Sequence, residues 1–443
     1  MPLPARRHVA FALLALRLGI AIALLPFAID WRSPVLASVR PAALAALIVL
    51  PLLLIAIDAA MLRTAPPSRL RRALSVAVIV VAALALTATV AQEVSFQWVR
   101  SRVLAADVAQ LEKLGRHLIV GYRDPAEVDE LIDRRAIGGV FVGARNVEGR
   151  SAEAVRRQIE AWQDTRRRQG LPPLWIATDQ EGGAVSRLSP PLPRQPPLAS
   201  VVDQYSEQTV RDAAAHDYGL TQGRALASLG VNLNFAPVVD LNRNLANPHD
   251  HYTRIRERAI AADPLVVTDV ARQYCRGLWE AGVRCTLKHF PGLGAVFEDT
   301  HLEAGYLRLA PEALERSDWL PFRALIKSGA FTMLGHARLT AVDADRPVSF
   351  SPAVVTGLLR GSWGHDGVLI TDDFSMGAVY ASKEGLGAAS VAALNAGVDL
   401  ILIAYDGAQY FAAMAALVAA DRDHQLSPET LAGSQRRLAD PPR

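Results

Sequence analysis

The sequence predicts an α/β chain: a (β/α)8 barrel preceded by three transmembrane helices. Three observations predict this. The first 95 residues hold three apolar stretches near the length that crosses a bilayer. From residue 107 onward, eight short apolar runs alternate with amphipathic segments. Polar residues then follow most of those runs, where a barrel of this kind carries its chemistry.

The apolar stretches are 9–29, 41–62 and 73–91. Arg17 interrupts the first, and Asp58 lies near the end of the second. A cleaved signal peptide does not fit the first stretch. It is too long, lacks a small-residue cleavage site, and two further stretches follow. Arg6 and Arg7 precede the first span, and Arg63, Arg69, Arg71 and Arg72 separate the second from the third without an acid. In the first connection, Arg32 and Arg40 are offset by Asp30. Positive-inside reasoning places the N-terminus and the second connection in the cytoplasm. Everything after residue 95 then falls on the periplasmic side of a bacterial inner membrane, with the helices in membrane lipid. Trp31 and Trp98 fall at interface positions, where indoles settle. The expected division is a membrane region 1–95, a juxtamembrane connector 96–106 and a barrel 107–443.

Composition agrees. The 443 residues allow one large domain and a smaller one. Apolar residues make up 51%, and the excess lies before residue 95. Net charge is +3 and the arginines form no long block, so nucleic acid is not an expected partner. The two cysteines, Cys275 and Cys285, are too few for a disulfide framework and have no metal-binding spacing. Cys285 sits in a strand-like run and reads as a small buried hydrophobe.

The expected strands are 117–122, 139–142, 174–178, 232–236, 285–289, 331–335, 368–371 and 400–403. Most are continuous runs, as parallel strands buried on both faces require. Helical spacing covers 124–135, 152–168, 207–229, 264–281, 311–328, 382–396 and 408–420, with Ser151 as an N-cap and a last helix after Ser427. The pattern fits a TIM (β/α)8 barrel. An open doubly wound sheet would show a G-x-G-x-x-G loop after its first strand, and none follows residue 122.

Strand three leads into Asp179-Gln180-Glu181-Gly182-Gly183, with Arg187 beyond. Strand four leads to Asp240 and Asn242, and strand five ends in Lys288-His289-Phe290-Pro291-Gly292. Strand six reaches His336, and strand seven Asp372-Asp373. One charge at a strand end is ordinary; acids, histidines and cations converging on one rim imply a site.

The segments K-H-F-P-G-L-G-A-V-F-E-D-T-H (288–301), I-T-D-D-F-S-M (370–376) and D-Q-E-G-G-A-V-S-R (179–187) resemble the signature of glycoside hydrolase family 3, in its β-N-acetylglucosaminidase branch. The likeness covers about residues 107–420, in order, and includes N-L-N-F-A-P-V-V-D (232–240) and A-G-V-D-L (396–400). It implies a retaining β-N-acetylhexosaminidase that takes a carbohydrate substrate. Asp372 would be the nucleophile and Asp299 with His301 the acid/base pair. Asp179, Arg187, Arg258, Lys288 and His289 would bind the sugar. It implies no metal and no cofactor.

The chemistry is sound without the likeness. A retaining glycosidase needs one carboxylate to form a glycosyl-enzyme and a second group to protonate the leaving oxygen. Histidine, with a pKa of about 6.5, can replace the usual acid, and an aspartate beside it stabilises the imidazolium.

Other polar groups read as structural. Asp373 is a hydrogen-bonder, His336 a pocket wall, Glu181 a partner at the barrel mouth, and Asp240 a structural or edge residue. His249 and His251 around Asp250 are a weak metal motif. Two departures from the family pattern stand out. Leu293 replaces a histidine, and Ala259 and Ile260 replace Ser and Phe after Arg258. Alternative readings are a β-glucosidase or glycoside phosphorylase on the same scaffold, or an inactive membrane-tethered glycan-binding protein. The oligomeric state stays open, a monomer included.

Overall fold

A computed structural model of the chain describes residues 3–64 and 68–439. The side chains of Arg6 and Arg7 lie outside the described set. The chain divides into two compact units, Met1–Arg102 and Val103–Arg443.

Among the described residues of the first unit, three helices are long and apolar enough to cross a membrane. They are α1 (Leu3–Ile29), α2 (Arg40–Thr64) and α3 (Arg69–Leu104). Small residues let them approach closely: Ala21, Ala28, Ala82 and Ala85 are fully buried. The two charges that spoil the apolar pattern belong to one another. Arg17 on α1 donates from Nε to Asp58 Oδ2 on α2 at 2.8 Å. Ser75 on α3 donates to the other Asp58 oxygen at 2.8 Å. Trp31 turns inward, 1% exposed, whereas Trp98 is 57% exposed. The stretch 96–106 does not interrupt the helix before Leu104. No Gly or Pro occurs there, and Gln97 bonds back to Glu93 one turn earlier at 2.7 Å.

The second unit is a closed barrel of eight parallel strands. They are β1 (Leu118–Gly121), β2 (Gly139–Phe141), β3 (Trp175–Thr178), β4 (Leu233–Asn234), β5 (Arg284–Phe290), β6 (Phe331–Leu334), β7 (Leu369–Asp373) and β8 (Leu400–Ile403). Each pairs with its sequence neighbours, and β1 closes on β8 with Leu118 opposite Ile401. Ile119, Phe141, Trp175, Leu233, Phe331, Ile370 and Leu402 belong to one buried cluster. Alternate residues from successive strands thus fill the barrel, which is a packed core and not a pore.

All eight expected strands form. β4 is shorter than expected, although backbone bonds continue past it: Phe235 N donates to the Thr178 carbonyl at 2.8 Å, and Thr286 N to the Ala236 carbonyl at 2.9 Å. Side chains add to the ladder: Asn232 Oδ1 accepts from Ile176 N at 2.8 Å, and Asn234 Oδ1 from Gln180 N at 2.9 Å. The helix expected over 311–328 is two, Pro311–Glu315 and Leu320–Ala324. Pro321 starts a new helix where it cannot continue the old one. Ala353–Ser362 is a widely wound π-helix that periodicity does not reveal, because Gly357 and Gly361 dilute the signal. Two small sheets also lie outside the expected elements. Gln180–Gly182 pairs antiparallel with Val185–Ser186, and Tyr306–Leu307 pairs parallel with Arg338–Leu339.

The cysteines require a correction. Cys275 and Cys285 are not separate thiols; they form a disulfide with Cα atoms 5.5 Å apart. Cys275 lies on the helix Pro264–Glu280 and Cys285 on β5. The turn at Gly282 lays the strand back against the helix, and that packing brings the sulfurs together.

Candidate active site

The site begins with a buried ion cluster. Beyond β3, Asp179 enters the tight hairpin 180–186, which aims Glu181 inward. Arg258, on the short helix Ile255–Arg258, grips Glu181 through Nε at 2.9 Å and Nη2 at 2.7 Å. Lys288 from β5 reaches Glu181 at 2.7 Å and Asp179 at 2.7 Å. Burial alone would push the Glu181 carboxyl up. Arg258 and Lys288 outweigh it and hold the group well below the usual carboxylate range. Burial likewise works against both cations, yet Glu181 raises Arg258, and Asp179 with Glu181 raises Lys288. Glu181, Arg258 and Lys288 therefore stay charged. Asp179 keeps 24% of its side chain exposed, so the cluster has an open face.

His289, next on β5, is turned by Asp240. Its Nδ1 meets Asp240 Oδ2 at 2.7 Å, and its N–H donates to the same oxygen at 3.1 Å. Nε2 then faces Arg258 Nη2 at 3.5 Å. Asp240 also accepts from Leu293 N at 2.6 Å, which fastens the start of the loop after β5.

Asp372 stands at the end of β7. Burial pushes its carboxyl up, but His289, His336, His301 and a backbone bond from Asp373 (2.8 Å) bring it down to about 2. It is therefore an ionised carboxylate at neutral pH. Asp373 faces away and accepts from the N–H groups of Ser375, Ala404 and Tyr405 at 2.8–2.9 Å. His336 is wedged between Ser349 Oγ (2.9 Å) and the Asp373 carbonyl (3.0 Å). Facing a carbonyl, Nε2 carries the proton, and burial lowers the pKa, so the ring is neutral. It props the backbone behind Asp372.

The loop after β5 brings in Asp299 and His301. His301 Nδ1 and its backbone N–H both lie 3.0 Å from Asp299 Oδ1. Burial would raise Asp299. Bonds from His301, Thr253 and Tyr252 overcome that and hold it far below the usual range. Gly377 N donates to the His301 carbonyl at 2.7 Å, tying this loop to the one after Asp372. A Cβ on Gly377 would stand 2.3 Å from the Leu302 carbonyl, so only glycine allows the approach. His301 keeps 38% of its side chain exposed, and its Nε2 has no hydrogen-bond partner among the described residues.

Of the eight residues expected from sequence, Asp179, Arg258, Lys288, His289, Asp299, His301 and Asp372 converge on this mouth. Arg187 reaches the same hairpin by its N–H on the Asp179 carbonyl (3.1 Å), but its guanidinium is exposed and outside the ion cluster. Glu181 is the partner at the barrel mouth that the sequence suggested, bonded to both Arg258 and Lys288, and Asp240 has a structural part in holding His289 and Leu293. Thr253, bonded to both members of the Asp299–His301 pair, carried no sequence signal. Asp250 does not act with its flanking histidines; both its oxygens accept from Arg254 N at about 3 Å.

Residues 104–440 match the family described as "Glycosyl hydrolase family 3 N terminal domain". The chain belongs to glycoside hydrolase family 3. Curated relatives place it in the β-hexosaminidase branch. The "Beta-hexosaminidase" of Tolumonas auensis is 35% identical over 280 residues, covering 62% of this chain and 78% of that one. A Xylella fastidiosa "Beta-hexosaminidase" is 37% identical over 285 residues, 63% and 79% of the two chains. Among solved structures, a family 3 β-N-acetylglucosaminidase from Paenibacillus sp. superposes with a TM-score of 0.67 at 32% identity. It covers 74% of this chain, which spans 61% of that protein's length. A β-N-acetylhexosaminidase from Beutenbergia cavernae gives a TM-score of 0.65 at 29% identity, covering 75% of this chain and 98% of that one. This family 3 member is thus a glycoside hydrolase on a TIM-like barrel, with three long apolar helices before it. Leu293 is 3% exposed, packs toward Gly335 and donates its N–H to Asp240.

Proposed function

We propose that the protein is a retaining β-N-acetylhexosaminidase that releases terminal β-linked N-acetylglucosamine from peptidoglycan-derived or related glycans. The observation that carries the reading is the pairing of an ionised Asp372 with a half-open His301 whose Nδ1 is held by Asp299. Asp372 attacks the anomeric carbon as the C1–O bond breaks. The electron pair leaves on the glycosidic oxygen, which takes a proton from His301 Nε2. In the second step His301 removes a proton from water, whose oxygen bonds C1 and displaces Asp372, restoring the β configuration. Asp179, Lys288, His289, Arg258 and Arg187 hold the sugar hydroxyls from the ion cluster and its hairpin.

The working place in this reading is the periplasmic face of a bacterial inner membrane. Three apolar helices support an anchor. The Cys275–Cys285 disulfide supports an oxidising compartment.

The test uses the full chain in detergent with a chromogenic N-acetyl-β-glucosaminide. Turnover should exceed that on the matching glucoside and should not change with added inorganic phosphate. Asp372→Ala should abolish it, and His301→Ala should lower it about 100-fold on poor leaving groups. Full activity in Asp372→Ala overturns the proposal.

A further inference from the structure

The loop that follows β4 ends in His251, Tyr252 and Thr253, and all three reach the Asp299–His301 pair. His251 N and Tyr252 N donate to Asp299 Oδ2 at 3.1 and 2.9 Å. The Thr253 hydroxyl lies 2.9 Å from Asp299 Oδ1 and 3.3 Å from His301 Nδ1. Thr253 is itself 7% exposed, and its carbonyl accepts from Arg258 Nη1 at 2.7 Å. The Tyr252 ring lies 5.6 Å from the His301 ring.

The hydrogen-bond arithmetic fixes the roles. An ionised carboxylate only accepts, so the Thr253 proton points at Asp299. The hydroxyl then presents a lone pair to His301 Nδ1. With two acceptors before it, Nδ1 must carry a hydrogen in either protonation state of the ring. Nε2 is left as the atom that gains and loses the proton, and it faces the open site. Rotating the ring, or moving the hydrogen to Nε2 alone, would break bonds on both Asp299 and Thr253.

We propose that Thr253 is a positioning residue for the acid/base step: its hydroxyl holds the imidazole of His301 in the tautomer and orientation that deliver the proton from Nε2. The proposal rests on His301 being the proton donor. Thr253 touches neither sugar nor nucleophile in this account, so in the first step, which forms the glycosyl-enzyme, its effect should appear only where protonation of the leaving group matters.

The experiment compares kcat/KM, which reports the first step alone, for two N-acetyl-β-glucosaminides, one with a dinitrophenolate leaving group and one with an alkyl alcohol. The first leaves without a proton; the second needs one. Thr253→Val keeps the shape and removes the hydroxyl. It should lower kcat/KM on the alkyl substrate about 10-fold, a fraction of the 10²–10⁴ that general acids contribute. It should barely change kcat/KM on the dinitrophenyl substrate. Thr253→Ser should restore the wild-type ratio. A wild-type ratio in Thr253→Val, with His301→Ala strongly dependent on the leaving group, overturns this proposal alone. A His301→Ala variant that treats both substrates alike overturns the role of His301, and this inference with it. If Thr253→Val does not fold, Thr253→Ser carries the test. Together with Thr253→Asn, it must rank the alkyl-to-dinitrophenyl ratio by the ability to donate to Asp299 and accept from Nδ1. No ranking refutes the role.

Discussion

Both units bury charge, and they use it in opposite ways. Among the apolar helices, Arg17, Asp58 and Ser75 come one from each helix and satisfy one another. Asp58 is fully buried and Arg17 is 13% exposed, so the group is closed. In the barrel, Asp179, Glu181, Arg258 and Lys288 also neutralise one another, but the cluster sits at strand ends and leaves Asp179 part-exposed. The first arrangement joins three apolar helices which, if they lie in lipid as proposed, have little hydrophobic drive to associate. The second keeps fixed charges facing a cavity mouth, where a polar ligand can complete their hydrogen bonding. Closure on itself marks a structural charge group, and an open face marks a binding one.

Three variants bear on this contrast. The largest effect belongs to Glu181→Gln, which leaves Arg258 and Lys288 with one carboxylate between them. Removing one partner of a buried pair costs about 3–5 kcal/mol. The midpoint of thermal unfolding should fall accordingly, and kcat/KM should collapse with it. A stable and active Glu181→Gln would erase the distinction. The paired substitution Cys275→Ser with Cys285→Ser should come next. A loop this short is worth about 2–3 kcal/mol, read in denaturant unfolding with kcat/KM unchanged. In intact cells the same sulfurs should resist alkylation until reduced, and labelling before reduction would contradict the periplasmic placement. The smallest effect is expected of Asp58→Asn. An interhelical polar contact contributes about 1 kcal/mol or less, measured as the melting of the full chain in detergent. Catalysis should not change, and a loss of turnover there would mean that the helices do more than anchor.

Much of the barrel is legible in sequence because strands buried on both faces must be apolar throughout. Runs such as Leu400–Ile403 admit little else. The chemistry at their ends is legible for a related reason: polar residues just after a buried strand stand out. What escaped belongs to contacts between segments far apart in the chain. Thr253 meets Asp299 across 46 positions, and no local pattern marks it. The Gln180–Ser186 hairpin is too short to leave a period. The cysteine pair was missed because ten residues of separation say nothing about whether a helix and a strand pack side by side.

The chain by itself determined three apolar helices and eight strands in order, and its resemblance to glycoside hydrolase family 3 singled out Asp372, Asp299 and His301. The helices and strands follow from local rules: hydropathy over a span and periodicity over a run. Tertiary structure alone decided how those groups behave. Burial would neutralise Asp372, Asp299 and Glu181. Only the cations, imidazoles and backbone N–H groups that the fold gathers around them keep them charged. Charge in a protein interior depends on neighbours in space, and the barrel supplies those neighbours from the ends of β5, β6 and β7 and from the loops after β4 and β5.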